Sequence, residues 1–406
     1  MSRRAREGAQ RGADLAGTEV EVEVGPVAHG GHCVARHEGR VLFVRHTAPG
    51  ERVRARVTEG REGDRFLRAD AVEVLQASPH RVEPPCPHAR PGRCGGCDWQ
   101  HVDLAEQRRL KAAVVQEQLR RLAGLERDVV VEAVPGDDGG LGWRTRVTYA
   151  VDASGRAGLR RHRSHEVEPI SWCRIAAPAV VALGVTDRPW PGTRAVEAVA
   201  AASGPALVPS PPGAGPDEVV VERAAGRDWR VAVDGFWQVH PGAAQVLVDA
   251  VLEGLAPREG ERVLDLFAGV GLFAGALGER VGLTGRVVAV EGDRAAAAHA
   301  RENLADLAHA RVERGDVARV LRREGLRRAD LVVLDPPRTG AGREVVAAVA
   351  ASGARAVAYV ACDPAALARD LAWFAERGYA LEGLRAFDLF PMTQHVECVA
   401  VLRPAG

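Results

Sequence analysis

Two reactive side chains stand near the C-terminus, each in an apolar run. Cys362 lies at the end of the run in Ala356–Pro364 (AVAYVACDP), and Glu397 lies in Asp388–Val401 (DLFPMTQHVECVAV). A thiolate is suited to nucleophilic addition and a carboxylate to proton removal. Both residues follow a Gly-rich nucleotide-binding turn in the chain, so they read as a nucleophile and a base built beside a cofactor pocket. The bland alternatives are a small core thiol for Cys362 and a solvent-facing acid for Glu397; Cys398 reads as core, and Cys33 has no visible partner.

The turn is Asp265–Ala274 (DLFAGVGLFA), placed after an apolar strand and opening a helix. Its Gly269 and Gly271 let backbone amides and the positive helix end approach a ligand closely. Twenty residues after Gly271, Glu291 ends the next strand, where a carboxylate can accept both ribose hydroxyls. That much fits a nicotinamide enzyme or an S-adenosylmethionine enzyme equally. Asp316 (ARVERGDV) then falls where a polar side chain reaches an adenine amino group, and Asp335-Pro336-Pro337-Arg338 ends a fourth strand. A D-P-P turn there places a carboxylate over a reacting base, which a methyltransferase needs and a dehydrogenase does not.

Cys86, Cys94, Cys97 and Cys173 form a second constellation, spaced C-x7-C-x2-C-x75-C. In a chain without secretory features, clustered cysteines indicate a metal rather than disulfides. Four thiolates suit tetrahedral zinc or a [4Fe-4S] cluster alike.

The elements that must carry these residues change along the chain. The 406 residues are 46% hydrophobic, enough for two or three cores. Residues 1 to about 15 are polar and expected to be disordered. Glu19–Val24 (EVEVEV) and Arg52–Val57 (RVRARV) alternate strictly and predict a small antiparallel β-barrel ending near Leu75. A Pro- and Cys-rich segment follows to His101, then a helix over Leu104–Leu125. Residues 129–235 contain several strand-like runs, with a helical, Pro/Gly-rich stretch around 176–217. From Ala243 onward, helices alternate with apolar strands (VLDLF, VVAVE, LVVLD, AVAYVAC), the signature of a parallel doubly wound sheet. The longest mildly apolar stretch, Ala195–Val208, is too short to span a bilayer, and a cytoplasmic monomer is expected. Formal net charge is zero, but Arg40–Arg68 holds eight Arg against four acids and Arg144–Arg163 six against one. Each run reads singly as a solvated face; two of them upstream of a catalytic domain fit a surface that tracks phosphates. Of the 54 basic residues only Lys111 is lysine.

Taken in order, Cys94-Gly95-Gly96-Cys97, Gln100-His101, Phe236-Trp237-Gln238, DLFAGVGLF, DPPR, Cys362-Asp363-Pro364, Leu367-Ala368-Arg369-Asp370, Phe390-Pro391-Met392-Thr393 and His395-Val396-Glu397 resemble the RNA uracil-5 methyltransferase family over nearly the whole chain. The resemblance implies a multidomain protein: a TRAM-like (OB-like) β-barrel at 16–75, a central α+β domain at 76–235 with the cysteine cluster, and a C-terminal α/β doubly wound class I methyltransferase domain at 236–406. It implies S-adenosylmethionine and substrate contacts at Gln238, Phe267, Glu291, Asp316 and Asp335, Cys362 as nucleophile and Glu397 as base. For the four cysteines it favours a [4Fe-4S] cluster over zinc. The implied substrate is ribosomal RNA, with transfer RNA as the second choice; a non-catalytic RNA-binding or ribosome-assembly protein and a methyltransferase of another base or of a small molecule are the competing readings. Three positions depart from the family: the first cysteine gap is seven residues where five is usual, Leu272 stands where Asn is common, and Asp363 follows the nucleophile where Asn is common. A carboxylate at 363 raises the Cys362 pKa unless it points away.

Overall fold

Strict alternation of apolar with charged residues, as in EVEVEV and RVRARV, buries one face of a strand and wets the other, and five strands close on themselves at the N-terminus. In the computed structural model, which describes residues 12–210, 218–323, 326 and 328–406, they are β1 (Glu19–Val27), β2 (Cys33–His37), β3 (Arg40–Arg45), β4 (Arg52–Glu59) and β5 (Phe66–Gln76), a closed barrel in the order β1-β2-β3-β5-β4. Val22, Val24, Cys33, Leu42, Val44, Val53 and Val57 fill it. Cys33 is thus a barrel core residue. The expected disorder over 1 to about 15 falls almost wholly outside the described residues.

Helix α1 (Leu104–Gln118) is capped by Asp103, whose carboxylate accepts from the Glu106 amide at 2.8 Å. Strand β6 (Val131–Ala133) follows. Both lie within the segment expected as the central domain, yet both pack on the C-terminal sheet: Ala112, Val115, Leu119 and Val131 share a core with its strands. Lys111 is fully buried on α1; its ammonium donates to Asp388 Oδ1 at 2.5 Å and to the Phe390 carbonyl at 3.0 Å.

The central sheet runs β11-β10-β7-β8-β9, built from β7 (Arg146–Val151), β8 (Ala157–Arg160), β9 (Val167–Pro169), β10 (Ala195–Ala201) and β11 (Gly204–Ser210), with one short helix α2 (Pro178–Val181). The stretch around 176–217 is therefore not mainly helical as its alanines suggest. Residues 195–210 form a hairpin in register Ala195↔Ser210 to Ala201↔Gly204, with Val196 and Ala198 buried on its inner face. Helix propensity is a weak prior, and pairing with β7 together with burial of one alternating face against Ile175 and Val180 overrides it. Residues 211–217 lie outside the described part. β12 (Val219–Ala224) and β13 (Arg227–Ala232) form a separate hairpin.

The C-terminal sheet has the order β16-β15-β14-β17-β18-β20-β19-β6. Its strands are β14 (Arg262–Leu266), β15 (Arg286–Glu291), β16 (Ala310–Arg314), β17 (Leu331–Leu334), β18 (Ala356–Ala361), β19 (Tyr379–Asp388) and β20 (Glu397–Pro404). Helices α3 (Ala243–Leu255), α4 (Leu272–Val281), α5 (Arg294–Asn303), α6 (Val317–Leu321), α7 (Arg343–Ala351) and α8 (Pro364–Ala375) alternate with them. β14 to β18 are parallel, and the central four, all but the edge strand β16, carry the apolar runs of strands covered on both faces. β20 alone is reversed: it lies between β18 and β19 and runs antiparallel to both, so β19 keeps the direction of the parallel strands. Strand order reverses between β14 and β17, which opens a crevice at their carboxyl ends.

Candidate active site

That crevice collects the predicted chemistry. Phe267 follows β14, Glu291 ends β15, Asp335 follows β17, Cys362 follows β18, and Glu397 opens β20; all five line one cleft. Register explains the last pair. Ala361 of β18 faces Cys398 of β20, so one step outward sets Cys362 opposite Glu397. Gln238, Trp237 and the exposed Phe236, on the segment after β13, line the cleft's other side with Phe390, Thr393 and His395. Phe267 holds a left-handed backbone (φ 62) at the start of the turn, a conformation unusual for a bulky residue and found where function demands it.

The turn itself is tied to Glu291, whose carboxylate accepts from the Gly269 amide at 2.7 Å and the Asp293 amide at 2.7 Å. Gly271 stands behind the turn as the residue capping α4 and does not line the cleft. Asp316 does not line it either: the carboxylate caps α6, accepting from the Arg319 amide at 2.9 Å. Asp293, Ala295, Ala296 and His299 occupy that wall instead.

Burial sets unusual protonation in the cleft. It pushes the Cys362 thiol up to about 12, with Glu397 and Asp335 adding to the shift and Arg338 opposing it. Burial and then Asp335 hold Glu397 well above the ordinary carboxylate range, and burial brings Asp335 up to about 7. Asp265 was not singled out from the sequence. It is fully buried below the turn, raised to about 8 chiefly by burial, and accepts from the Ala274 amide through Oδ2 at 2.8 Å while Oδ1 has no partner among the described residues. Its signal was an acid inside an otherwise apolar strand.

Comparison with known proteins fits this geometry. Residues 15–72 match the TRAM domain and residues 223–404 match the tRNA (Uracil-5-)-methyltransferase family. An uncharacterized RNA methyltransferase of Streptomyces avermitilis is 56% identical, over 96% of this chain and 99% of its own. The 23S rRNA (uracil(1939)-C(5))-methyltransferase RlmD of Pseudomonas fluorescens is 33% identical, over 95% and 94%. The chain belongs to the RNA uracil-5 methyltransferases. A crystal structure of Pyrococcus abyssi tRNA (uracil-54, C5)-methyltransferase with S-adenosyl-L-homocysteine shares the methyltransferase's fold, with a TM-score of 0.68 at 22% identity and 93% and 99% coverage. S-adenosylmethionine is accordingly its methyl donor, and the crevice lined by Gly269, Glu291 and Phe267 suits it: an acid fixed at a strand end faces amides of a glycine turn.

The methyltransferase brings Cys86, Cys94, Cys97 and Cys173 together around a second cavity, with Gly96, Gln100, Arg144 and Ile170. Gln100 Nε2 donates to Cys97 Sγ at 3.1 Å and the Gly96 amide to Cys94 Sγ at 3.4 Å. Among the described residues, no three His, Cys, Asp or Glu side chains form a group able to hold one metal ion. The Cys94–Cys97 loop also forms part of the catalytic cleft through Gly95 and Gly96. Gly95 packs on the turn after β8; a Cβ there would fall 2.6 Å from His162 Cα, so only glycine fits. Arg161 on that turn faces inward. With His88 and Arg93 it binds the buried Glu168, at 3.1 Å from Arg161, 3.1 Å from His88 and 2.8 Å from Arg93.

Proposed function

We propose that this methyltransferase converts a uridine of large-subunit ribosomal RNA to 5-methyluridine, with Cys362 as nucleophile and Glu397 as base. The observation that carries the reading is the strand register that sets Cys362 opposite Glu397 on a cleft shared with Asp335 and the glycine turn. The choice of ribosomal RNA rests on the substrate named for the Pseudomonas relative, which matches along nearly the full chain.

C5 of uracil is too weak a nucleophile to take a methyl group directly. The Cys362 sulfur adds to C6, its proton passes to water, and electron density moves to C5 as an enolate. S-adenosylmethionine supplies the methyl group that C5 receives. Glu397 then takes the C5 proton, the C5–C6 double bond re-forms, and the Cys362–C6 bond breaks. Asp335 accepts from the imide N–H of the ring and holds it in place. Gln238, Phe267, Gly269 and Glu291 hold the methyl donor, with Gly271 shaping the helix start. Asp316 is retained as an adenine contact only if its cap on α6 opens.

We also propose a [4Fe-4S] cluster on Cys86, Cys94, Cys97 and Cys173. Four soft donors line one cavity and two of them receive N–H bonds, a ligand set of the kind that holds iron–sulfur clusters. It transfers no electrons in this reaction; it fastens the loop bearing Gly95 and Gly96 to the central sheet. The parts then divide as 16–75 for RNA capture, 76–235 for the cluster and RNA surface apart from α1 and β6, which join 236–406 for methyl transfer, in a cytoplasmic monomer where thiols stay reduced.

The deciding experiment separates the two covalent steps. Cys362→Ala should bind RNA and methyl donor yet give neither adduct nor product. Glu397→Gln should accumulate a methylated protein–RNA adduct that survives denaturation, as should the unaltered enzyme on RNA carrying 5-fluorouridine at the target. Turnover by Cys362→Ala would sink the mechanism. Mapping of 5-methyluridine in a deletion strain identifies the RNA, and loss only from transfer RNA would overturn the ribosomal choice. For the cluster, purified protein should be brown and contain iron and acid-labile sulfide in equal amounts; colourless protein with tightly bound zinc refutes it.

A further inference from the structure

The residue after the nucleophile departs from the family, and its partner comes from the opposite end of the chain. Asp363 accepts the Ala366 amide at 2.8 Å as the cap of α8, and its other oxygen, Oδ2, lies 3.0 Å from His29 Nε2 on the turn between β1 and β2 of the barrel. That turn is firmly seated. Trp99 Nε1 donates to the Gly31 carbonyl at 3.0 Å, and Gly31 (φ 79) lies so close to the loop before β20 that a Cβ would come within 2.6 Å of Gln394 Cβ. The Gln394 amide in turn donates to Asp98 at 3.1 Å, and Asp98 lies 3.6 Å from Arg45 of β3. The barrel is thus bolted to the loop that leads to Glu397 and, through His29, to the residue beside Cys362.

We propose that His29 is a positioning residue of the catalytic site: its imidazolium neutralises the Asp363 carboxylate, which would otherwise oppose formation of the Cys362 thiolate. Resting on the reading of Cys362 as nucleophile, this explains how an acid is tolerated where a neutral amide is common. Four charged or titratable groups face the pair or the thiol. Arg338, Asp335 and Glu397 act on Cys362 directly, and His395 faces Asp363 but is held neutral, pushed down to about 4 by burial and by Arg338. The counter-charge therefore falls to His29. Its hydrogen bond to Asp363 raises it above the ordinary imidazole value, while burial pulls the other way. Burial pushes Asp363 up, but His29 and the α8 amides more than offset this and leave it below the ordinary carboxyl value. Below the His29 pKa the pair is charged and balanced; above it the carboxylate stands alone.

The test uses full-length protein and needs no RNA. Alkylation of Cys362 by iodoacetamide is followed by mass spectrometry of its peptide, across pH, in His29→Ala, Asp363→Asn and the double variant. A unit charge a few ångströms from a sulfur at a partly wet site changes the thiolate population by roughly three- to tenfold. His29→Ala should lower the rate at pH 7 by that amount; Asp363→Asn, which keeps a good helix cap, should abolish the effect in the double variant. The unaltered protein should show a flattened rise of rate with pH as His29 deprotonates, absent in Asp363→Asn. With target RNA, kcat should fall in His29→Ala and KM should hold. Equal alkylation rates in His29→Ala and the unaltered protein, or an equal loss in the single and double variants, overturns the proposal. The first outcome with a raised KM makes His29 an RNA contact, and the second makes it a structural tie. Failure of Cys362→Ala to stop methylation would instead overturn the nucleophile reading and leave these rates unaffected.

Discussion

Asp335 and Glu397 lie together in a site that burial has made hostile to charge, and in the mechanism proposed above the pair must give up a proton before Glu397 acts as the base. Because Asp335 titrates near 7 and Glu397 is held higher than an ordinary carboxyl, methylation at limiting substrate should show an acid limb near neutrality rather than near 4.5. Stability has the opposite sign. Carboxyls raised in the folded state keep protons that the unfolded chain releases, so stability falls as pH rises from the ordinary carboxylate range toward 7. Asp335→Asn should therefore raise the melting temperature, by about 1–3 °C, with a larger gain at pH 8 than at pH 5, while lowering activity. A gain at pH 5 equal to that at pH 8 would mean the carboxyl is not raised. Motif spacing made it legible that Cys362, Glu397 and Asp335 stand together. Their protonation was not legible: burial pushes the Glu397 carboxyl up, and burial belongs to the tertiary structure. Asp316 shows the limit differently, since an acid before a helix reads equally as a ligand contact or as a cap.

At the scale of elements, α1 reaches the catalytic end of the sheet through one buried ion pair. Lys111 is drawn down by burial and up by Asp388, and it also holds the Phe390 carbonyl just ahead of the loop that leads to Glu397. Removing one partner strands the other. Lys111→Met should destabilise the protein by about 3–5 kcal/mol in chemical denaturation, and Lys111→Met with Asp388→Leu should recover much of it. A loss below 1 kcal/mol in the single variant would show that water reaches Asp388. The parallel core strands were plain in the sequence because a strand covered on both faces must be apolar throughout. The 195–210 hairpin was not, because alanine satisfies a helix and a small-residue sheet face equally and the deciding contact with β7 is distant in sequence. β6 lies in the first of the strand-like runs read over 129–235, but its place was not legible there: only pairing with β19 puts it at the edge of the C-terminal sheet.

For the molecule as a whole, zero net charge conceals a local surface. On the barrel's outer face Phe43 packs edge-on against His32 (6.1 Å) and Phe66 (5.4 Å), with Arg68 over the Phe66 ring at 5.5 Å. Phe66 is 44% exposed. Bases of single-stranded RNA stack on such rings at about 1–3 kcal/mol each. Phe43→Ala and Phe66→Ala should each weaken RNA binding by that order without altering its salt dependence, and a change of salt slope would assign the loss to displaced arginines instead. The Arg160–Arg163 run has a smaller part than its density suggests, because Arg161 is spent on Glu168 and Arg163 lies 3.6 Å from Glu59. Finally, the burial of Lys111 bears on how the protein can be handled and marked. Every other basic side chain is an arginine or histidine, so the surface offers no side-chain amine. Amine-directed cross-linkers and dyes, and enzymes that acetylate lysine, find no side chain to modify while the fold is intact. Labelling of Lys111 would therefore report unfolding around α1.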